Sequence, residues 1–213
     1  MQKGVCLWLT GRSGTGKSTL TKALLPLLDE HGRTVTVLDV VPYLAKHWFE
    51  RSSEGKLLRK AFVASEIARH GGVAICVTVS ARREIRESIR TLVGEDRFVE
   101  VYVDSPAEVC RERKRGRNRR RSPLKRAISL VRRLSSRLRS GQDVPYETPV
   151  SPEIVIDSHN QSPEAGAAAI VQYLSDRGFL AGNGPQIAVT LNSATTASET
   201  RSPLAREQAL PVG

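Results

Sequence analysis

Apolar and polar positions along the chain follow two alternating rhythms. Short runs rich in β-branched and aliphatic residues, 5–9, 34–38, 73–79 and 98–103, read as strands. Between them, apolar residues recur three and four apart, which predicts helices over 17–31, 57–70 and 84–93. A short strand over 154–156 and a helix over 163–174 close the pattern. Gly32 and the Gly71-Gly72 pair stand just past two of the helices, where left-handed backbone ends a helix. Ser105-Pro106-Ala107-Glu108 has the form of a capping box with proline at the first helical position. The run 73–79 is apolar throughout, as in a strand buried on both faces of a parallel sheet. The order predicts an α/β domain: a parallel sheet with helices on both faces.

Two segments break the rhythm. Between Arg111 and Arg139 stand 14 Lys/Arg and one acid, Glu112, a net +13 in a chain of formal charge +11, which leaves −2 for everything else. Within that segment Leu124, Ile128, Val131, Leu134 and Leu138 keep helical spacing, with Arg and Lys on the other face. The segment reads as an Arg-rich helical lid over about 111–145. The tail, 181–213, is rich in Ala, Ser, Thr, Pro and Gly and is expected to be disordered. One domain over 1–180 accounts for the rest of the 213 residues. No apolar run approaches the ~20 residues of a membrane span, so no membrane partner is expected and the chain reads as cytoplasmic. Cys6, Cys76 and Cys110 lie far apart in apolar segments, without metal-ligand spacing, and read as buried thiols.

The chemistry is concentrated at residues 11–19, Gly-Arg-Ser-Gly-Thr-Gly-Lys-Ser-Thr. Gly11, Gly16, Lys17 and Ser18 complete a P-loop pattern between a strand and a helix, which places the domain in the P-loop NTPase fold. Glycines let such a loop wrap a phosphate with backbone N–H groups, and the helix N-terminus adds a positive field. Gly11, Ser13, Gly14, Thr15, Gly16, Lys17, Ser18 and Thr19 are therefore the candidate nucleotide-binding residues. Lys17 reaches the β- and γ-phosphates and Ser18 holds Mg²⁺ in this pattern, so a nucleoside triphosphate and Mg²⁺ are the expected ligands. A P-loop alone does not separate a switch GTPase from an ATPase or a kinase. No Asn-Lys pair exists to read guanine, and Asp29-Glu30-His31-Gly32 fits a helix-ending turn better than a switch. A short chain with a late basic excursion suits a small kinase whose lid closes over the phosphates.

Several stretches resemble adenylylsulfate kinase: VCLWLTGRSGTGKSTL, VTVLD ending at Asp39, SARREIRESIR from Ser80, VGEDRFVEVYVDSPAEVCRER from Val93 and GQDVPYETP from Gly141. The resemblance implies transfer of the γ-phosphoryl of MgATP to the ribose 3′-hydroxyl of adenosine 5′-phosphosulfate. It implies a metal- or proton-binding role for Asp39, which is otherwise a strand-end turn residue. By the same resemblance Ser80 faces the transferred phosphate, or else caps a helix. Arg83 contacts the acceptor and Arg113 lies against the adenine, or else both are solvated helix charges.

Departures from the family pattern cluster on the acceptor side. Val40 and Val41 replace the Gly and second Asp of Asp-Gly-Asp, Leu44 stands where an arginine is expected, and Ala81 replaces a proline. Trp48, Phe49 and Arg139 are the candidates for stacking on an acceptor in place of the missing family phenylalanine. The expected acceptor is a small anionic compound bearing a hydroxyl. It is adenylylsulfate by resemblance, or another nucleotide or small molecule. The basic segment also admits a nucleic-acid surface or a plain solvated face. No aromatic residue interleaves the segment, so stacking on bases is not indicated. The sequence admits a homodimer without specifying one.

Overall fold

The computed structural model describes residues 3–38, 53–119, 145–180 and 189–190. Asp39, Trp48, Phe49, Arg139, the 120–144 stretch of the basic segment and all but two residues of the tail lie outside the described residues. In chain order the elements are β1 (Val5–Thr10), α1 (Lys17–Glu30), β2 (Val35–Leu38), α2 (Ser53–Arg69), β3 (Val73–Val77) and α3 (Arg83–Val93). Then follow β4 (Phe98–Asp104), α4 (Ala107–Arg119), β5 (Ile154–Asp157), α5 (Pro163–Asp176) and β6 (Val189–Thr190).

The strands form one sheet in the order β5-β4-β1-β3-β2-β6, with every pairing parallel. Alternation along β1 sends its side chains to opposite faces. Val5, Leu7 and Leu9 pack with Leu20, Leu24 and Leu28 of α1 and with Ile170 and Leu174 of α5. Cys6 and Trp8 pack on the other side with Ala61 and Ala64 of α2 and Ile85 and Ile89 of α3. Burial on both faces is why β1, β3 and most of β4 read as unbroken apolar runs. The α/β class and the helices on both faces are as the sequence predicts. Among the described residues no helix is long and apolar enough to cross a membrane.

The helix stops follow the glycines. Gly32 has φ 74° and donates to Asp29 O, and Arg33 N donates to Leu28 O. Gly71 has φ 81°, and Gly72 N reaches back to Ile67 O. Both are left-handed endings that satisfy carbonyls of the last turn.

Four details differ from the pattern. First, α2 begins at Ser53, ahead of the 57–70 pattern, whose apolar period does not register the polar first turn. Second, β3 ends at Val77, and Val79 is exposed at the sheet's carboxyl edge. Third, the capping box does not form at Ser105. The Asp104 carboxylate takes the Ser105 N–H at 2.8 Å, and Glu108 pairs with Arg111 instead. The Ser105 hydroxyl is buried with no hydrogen-bond partner among the described residues. Fourth, Val189–Thr190 pair with β2, an element the tail's composition does not signal. The three cysteines are buried and free, as expected. Burial and a hydrogen bond to Cys76 hold the Cys6 thiol well above its ordinary pKa, the hydrogen bond being the larger cause.

Candidate active site

Strand β1 is flanked by β3 and β4, so its carboxyl end lies where the chain turns to opposite sides of the sheet, the place where open α/β sheets bind ligands. The loop 11–16 leaves β1 there. Gly11, Gly14 and Gly16 have φ of 141°, 106° and 97°. A Cβ on Gly11 would run into Val103 O, and one on Gly14 would stand 2.6 Å from Cys110 O. The loop is thus wedged between β4 and α4, with room for glycine alone at positions 11 and 14.

Helix α1 starts at Lys17 behind Gly16, with neither a side-chain cap nor an acid in its first turn. Its positive end is therefore left for an anion. Lys17 is 8% exposed, and its ammonium donates to Gly11 O at 2.7 Å, Arg12 O at 2.9 Å and Thr15 Oγ1 at 3.4 Å. Ser13, Gly14, Gly16, Lys17, Ser18, Thr19 and Arg113 line a cavity of about 420 Å³, closed on the β3 side by Val77, Thr78 and Val79. This donor set fits a polyphosphate. Of the two residues proposed for Mg²⁺, Ser18 lines the cavity and Asp39 is outside the described residues.

A second cavity, about 470 Å³, continues from the first through Gly16, Thr19 and Arg113. Leu20, Ile156 and Pro163 give it apolar walls, and residues 158–162 give it a polar rim. Arg113 donates to Ser158 O at 2.9 Å and Ser158 Oγ at 3.3 Å, and Ser158 Oγ bonds Asp104 O and Thr15 O. Asp157 accepts from His159 N, Asn160 N and Asn160 Nδ2, and these bonds depress its pKa, with His159 N–H the largest cause. Arg113, which the family resemblance sets against an adenine, lines this cavity, and the sequence reading does not name the 157–162 loop beside it. The signal was a polar cluster directly after β5, at the same sheet edge as the P-loop.

A third cavity, about 340 Å³, meets the phosphate cavity at Val79. Glu54, Leu57, Val79, Ser80, Ala81, Arg82 and Ile85 line it. Ser80 is 4% exposed and its hydroxyl is fully engaged: Trp8 Nε1 donates to it at 3.1 Å, and Thr10 Oγ1 and Thr78 Oγ1 stand at 3.1 and 2.8 Å. It caps no helix, since the N-cap of α3 is Arg82. Arg83 turns away from this cavity. Its N–H donates to Glu147 Oε2 at 2.7 Å, and its guanidinium reaches Thr148 O at 3.5 Å. Arg82, not Arg83, is the arginine on the cavity wall.

Beneath the cavity lies a buried charge cluster that the sequence does not announce. Arg86, 2% exposed, pairs with Glu100 at 2.9 Å and donates to Ser80 O at 2.7 Å, Ala81 O at 3.3 Å and Glu147 O at 2.8 Å. Arg90 pairs with Glu153 and, at 3.6 Å, with Glu100. The bond to Glu153 pushes the Arg90 pKa up. Burial raises the Glu100 pKa and outweighs both arginines. The Tyr146 hydroxyl stands 3.1 Å from Thr10 Oγ1, and its ring stacks on Tyr102 with centroids 6.0 Å apart. The 145–149 turn is thereby pinned to β1, β4 and the 80–82 loop.

The family model described as adenylylsulphate kinase matches residues 3–157. The adenylyl-sulfate kinase of Rippkaea orientalis is 35% identical over 185 residues, covering 84% of this chain and 96% of its own. That of Microcystis aeruginosa is 34% identical over 184 residues, covering 84% and 96%. The adenylylsulfate kinase of Mycobacterium tuberculosis, solved in complex with AMPPNP and APS, is 25% identical. It superposes with a TM-score of 0.62, covering 82% of this chain and 99% of that one.

Proposed function

The chain belongs to the adenylylsulphate kinase family, and from that premise we propose that it transfers the γ-phosphoryl of MgATP to the 3′-hydroxyl of adenosine 5′-phosphosulfate. The observation that carries this reading is the continuity of the three cavities. The base-side cavity opens into the phosphate cavity through Gly16 and Arg113, and the phosphate cavity meets the third at Val79. A nucleotide laid along the first two would present its terminal phosphate at the mouth of the third.

The roles follow from chemistry. The α1 N-terminus and the loop amides hold the phosphates, and Lys17 swings from the carbonyls of Gly11 and Arg12 to the phosphate being transferred. Ser18 and Asp39 would hold Mg²⁺, which neutralises phosphate charge when bound. Asp39 would also take the proton of the attacking hydroxyl. Arg113 and the 158–162 loop would receive the adenine. Ser80 acts as a positioning residue: its hydroxyl is committed to Trp8, Thr10 and Thr78, and what it fixes is the wall of the acceptor cavity. Trp48, Phe49 and Arg139 would stack on the acceptor, and the basic segment would close over both substrates.

The test is ADP release from MgATP with and without adenosine 5′-phosphosulfate, with Lys17→Ala as control. Release that requires the acceptor and falls by about 10²-fold or more in the variant is expected. Nucleotide binding with no acceptor-dependent release would overturn the named acceptor.

A further inference from the structure

We propose that the Glu54–Arg82 ion pair is a charge selector for the acceptor. In this inference, which rests on the reading that the third cavity holds the acceptor, Arg82 takes the acceptor's phosphate or sulfate ester group. Glu54 competes with that group for the guanidinium. Arg82 Nη1 donates to Glu54 Oε1 at 3.1 Å, joining the first turn of α2 to the N-cap of α3 across the cavity. Leu57, Val79, Ala81 and Ile85 make the rest of the lining apolar. Ser80 has no hydrogen-bonding capacity left to offer, and the first N–H of α3 is taken by Glu147. Among the described residues of this lining, Glu54 and Arg82 are the charged groups that can meet a ligand.

Their side chains are 50% and 52% exposed. Exposed pairs of this kind are weak, so an incoming anion exchanges for Glu54 readily. A guanidinium binds tetrahedral oxyanions through two parallel N–H groups, and a carboxylate left beside the bound ester repels it. The pair therefore admits anionic acceptors through Arg82 while holding their affinity down through Glu54.

The experiment is titration calorimetry of the MgADP-loaded full chain with adenosine 5′-phosphosulfate as the probe. Wild type, Glu54→Gln, Arg82→Gln and Arg82→Lys are compared. Glu54→Gln should tighten the probe's Kd by about three- to fivefold. Arg82→Gln should weaken it by about tenfold or more, with Arg82→Lys between. The Kd for MgADP should be the same in all four, which reports that each is folded. Probe affinities that fail to move in opposite directions, or no binding of the probe by any form, would overturn the selector. Opposite shifts without acceptor-dependent ADP release would uphold it and sink the kinase reading alone.

Discussion

The Trp8 indole, at the centre of the sheet, donates its Nε1–H to the hydroxyl of Ser80 at 3.1 Å. Ser80 has φ 34°, the one positive value among the described non-glycine residues, and such backbone persists only where its surroundings hold it. Here they do: Trp8, Thr10 and Thr78 fix the side chain, and Arg86 fixes the carbonyl. Ser80→Ala leaves the buried Trp8 N–H without an acceptor and should cost about 1–3 kcal/mol in urea unfolding. Ser80→Gly loses the same bond but relaxes the backbone, so its loss should be smaller. An alanine variant as stable as wild type would refute the positioning role.

The glycines of the phosphate loop separate strain from collision. Gly16→Ala meets nothing closer than Arg113 at 3.8 Å, so only its φ of 97° is strained, at about 1–3 kcal/mol. Gly14→Ala adds a Cβ 2.6 Å from the Cys110 carbonyl of α4 and must displace backbone. Gly14→Ala should therefore lose more stability than Gly16→Ala and release MgATP more readily in calorimetry. Equal effects would show that the loop is not wedged against α4.

Arg86 and Glu100 make a buried pair whose partners cannot be removed singly without penalty. Arg86→Met strands the Glu100 carboxylate beside Arg90 alone and should cost about 3–5 kcal/mol at neutral pH. The Glu100 pKa is already raised by burial. A raised carboxyl contributes stability below its ordinary pKa and loses that contribution as pH rises through the folded value. Removing Arg86 removes a charge that lowers this pKa, so the variant's deficit should be smaller at acidic than at neutral pH. Urea unfolding at both pH values checks it. A deficit independent of pH would mean that Glu100 is not the stranded group.

These residues also mark what the sequence could tell. The succession of strands and helices, the helix stops and the P-loop are local signals: apolar period, glycine position and loop spacing. Glu100 sits inside the apolar run of β4, and nothing nearby in sequence shows that Arg86, Arg90 and Glu153 surround it. Arg83 matches a family position, and nothing local shows that Glu147, 64 residues away, takes its backbone N–H. The Ser105 cap failed for a nearer reason, since the adjacent Asp104 carboxylate reaches the same N–H first. In each case a tertiary partner or a competing carboxylate outweighed the local pattern.

Tyr146 offers a titration that reads the pinned turn directly. Burial pushes its phenol up to about 12 from 10.0, against the bond from Thr10 and the Arg86 guanidinium 5.6 Å from the ring. The fold therefore favours the neutral phenol. Its contribution is complete below pH 10, the ordinary value, and is lost as pH rises towards about 12. Tyr146→Phe keeps the stack on Tyr102 and loses the hydroxyl, at about 1 kcal/mol near neutral pH. In thermal unfolding the variant should lie below wild type at neutral pH, and the two curves should meet and cross over the alkaline window, since about two pKa units outweigh about 1 kcal/mol. Tyr102 is also raised by burial, so a residual slope should persist in the variant. Curves that stay parallel up to pH 12 would place the Tyr146 hydroxyl in water and unpin the 145–149 turn from Thr10.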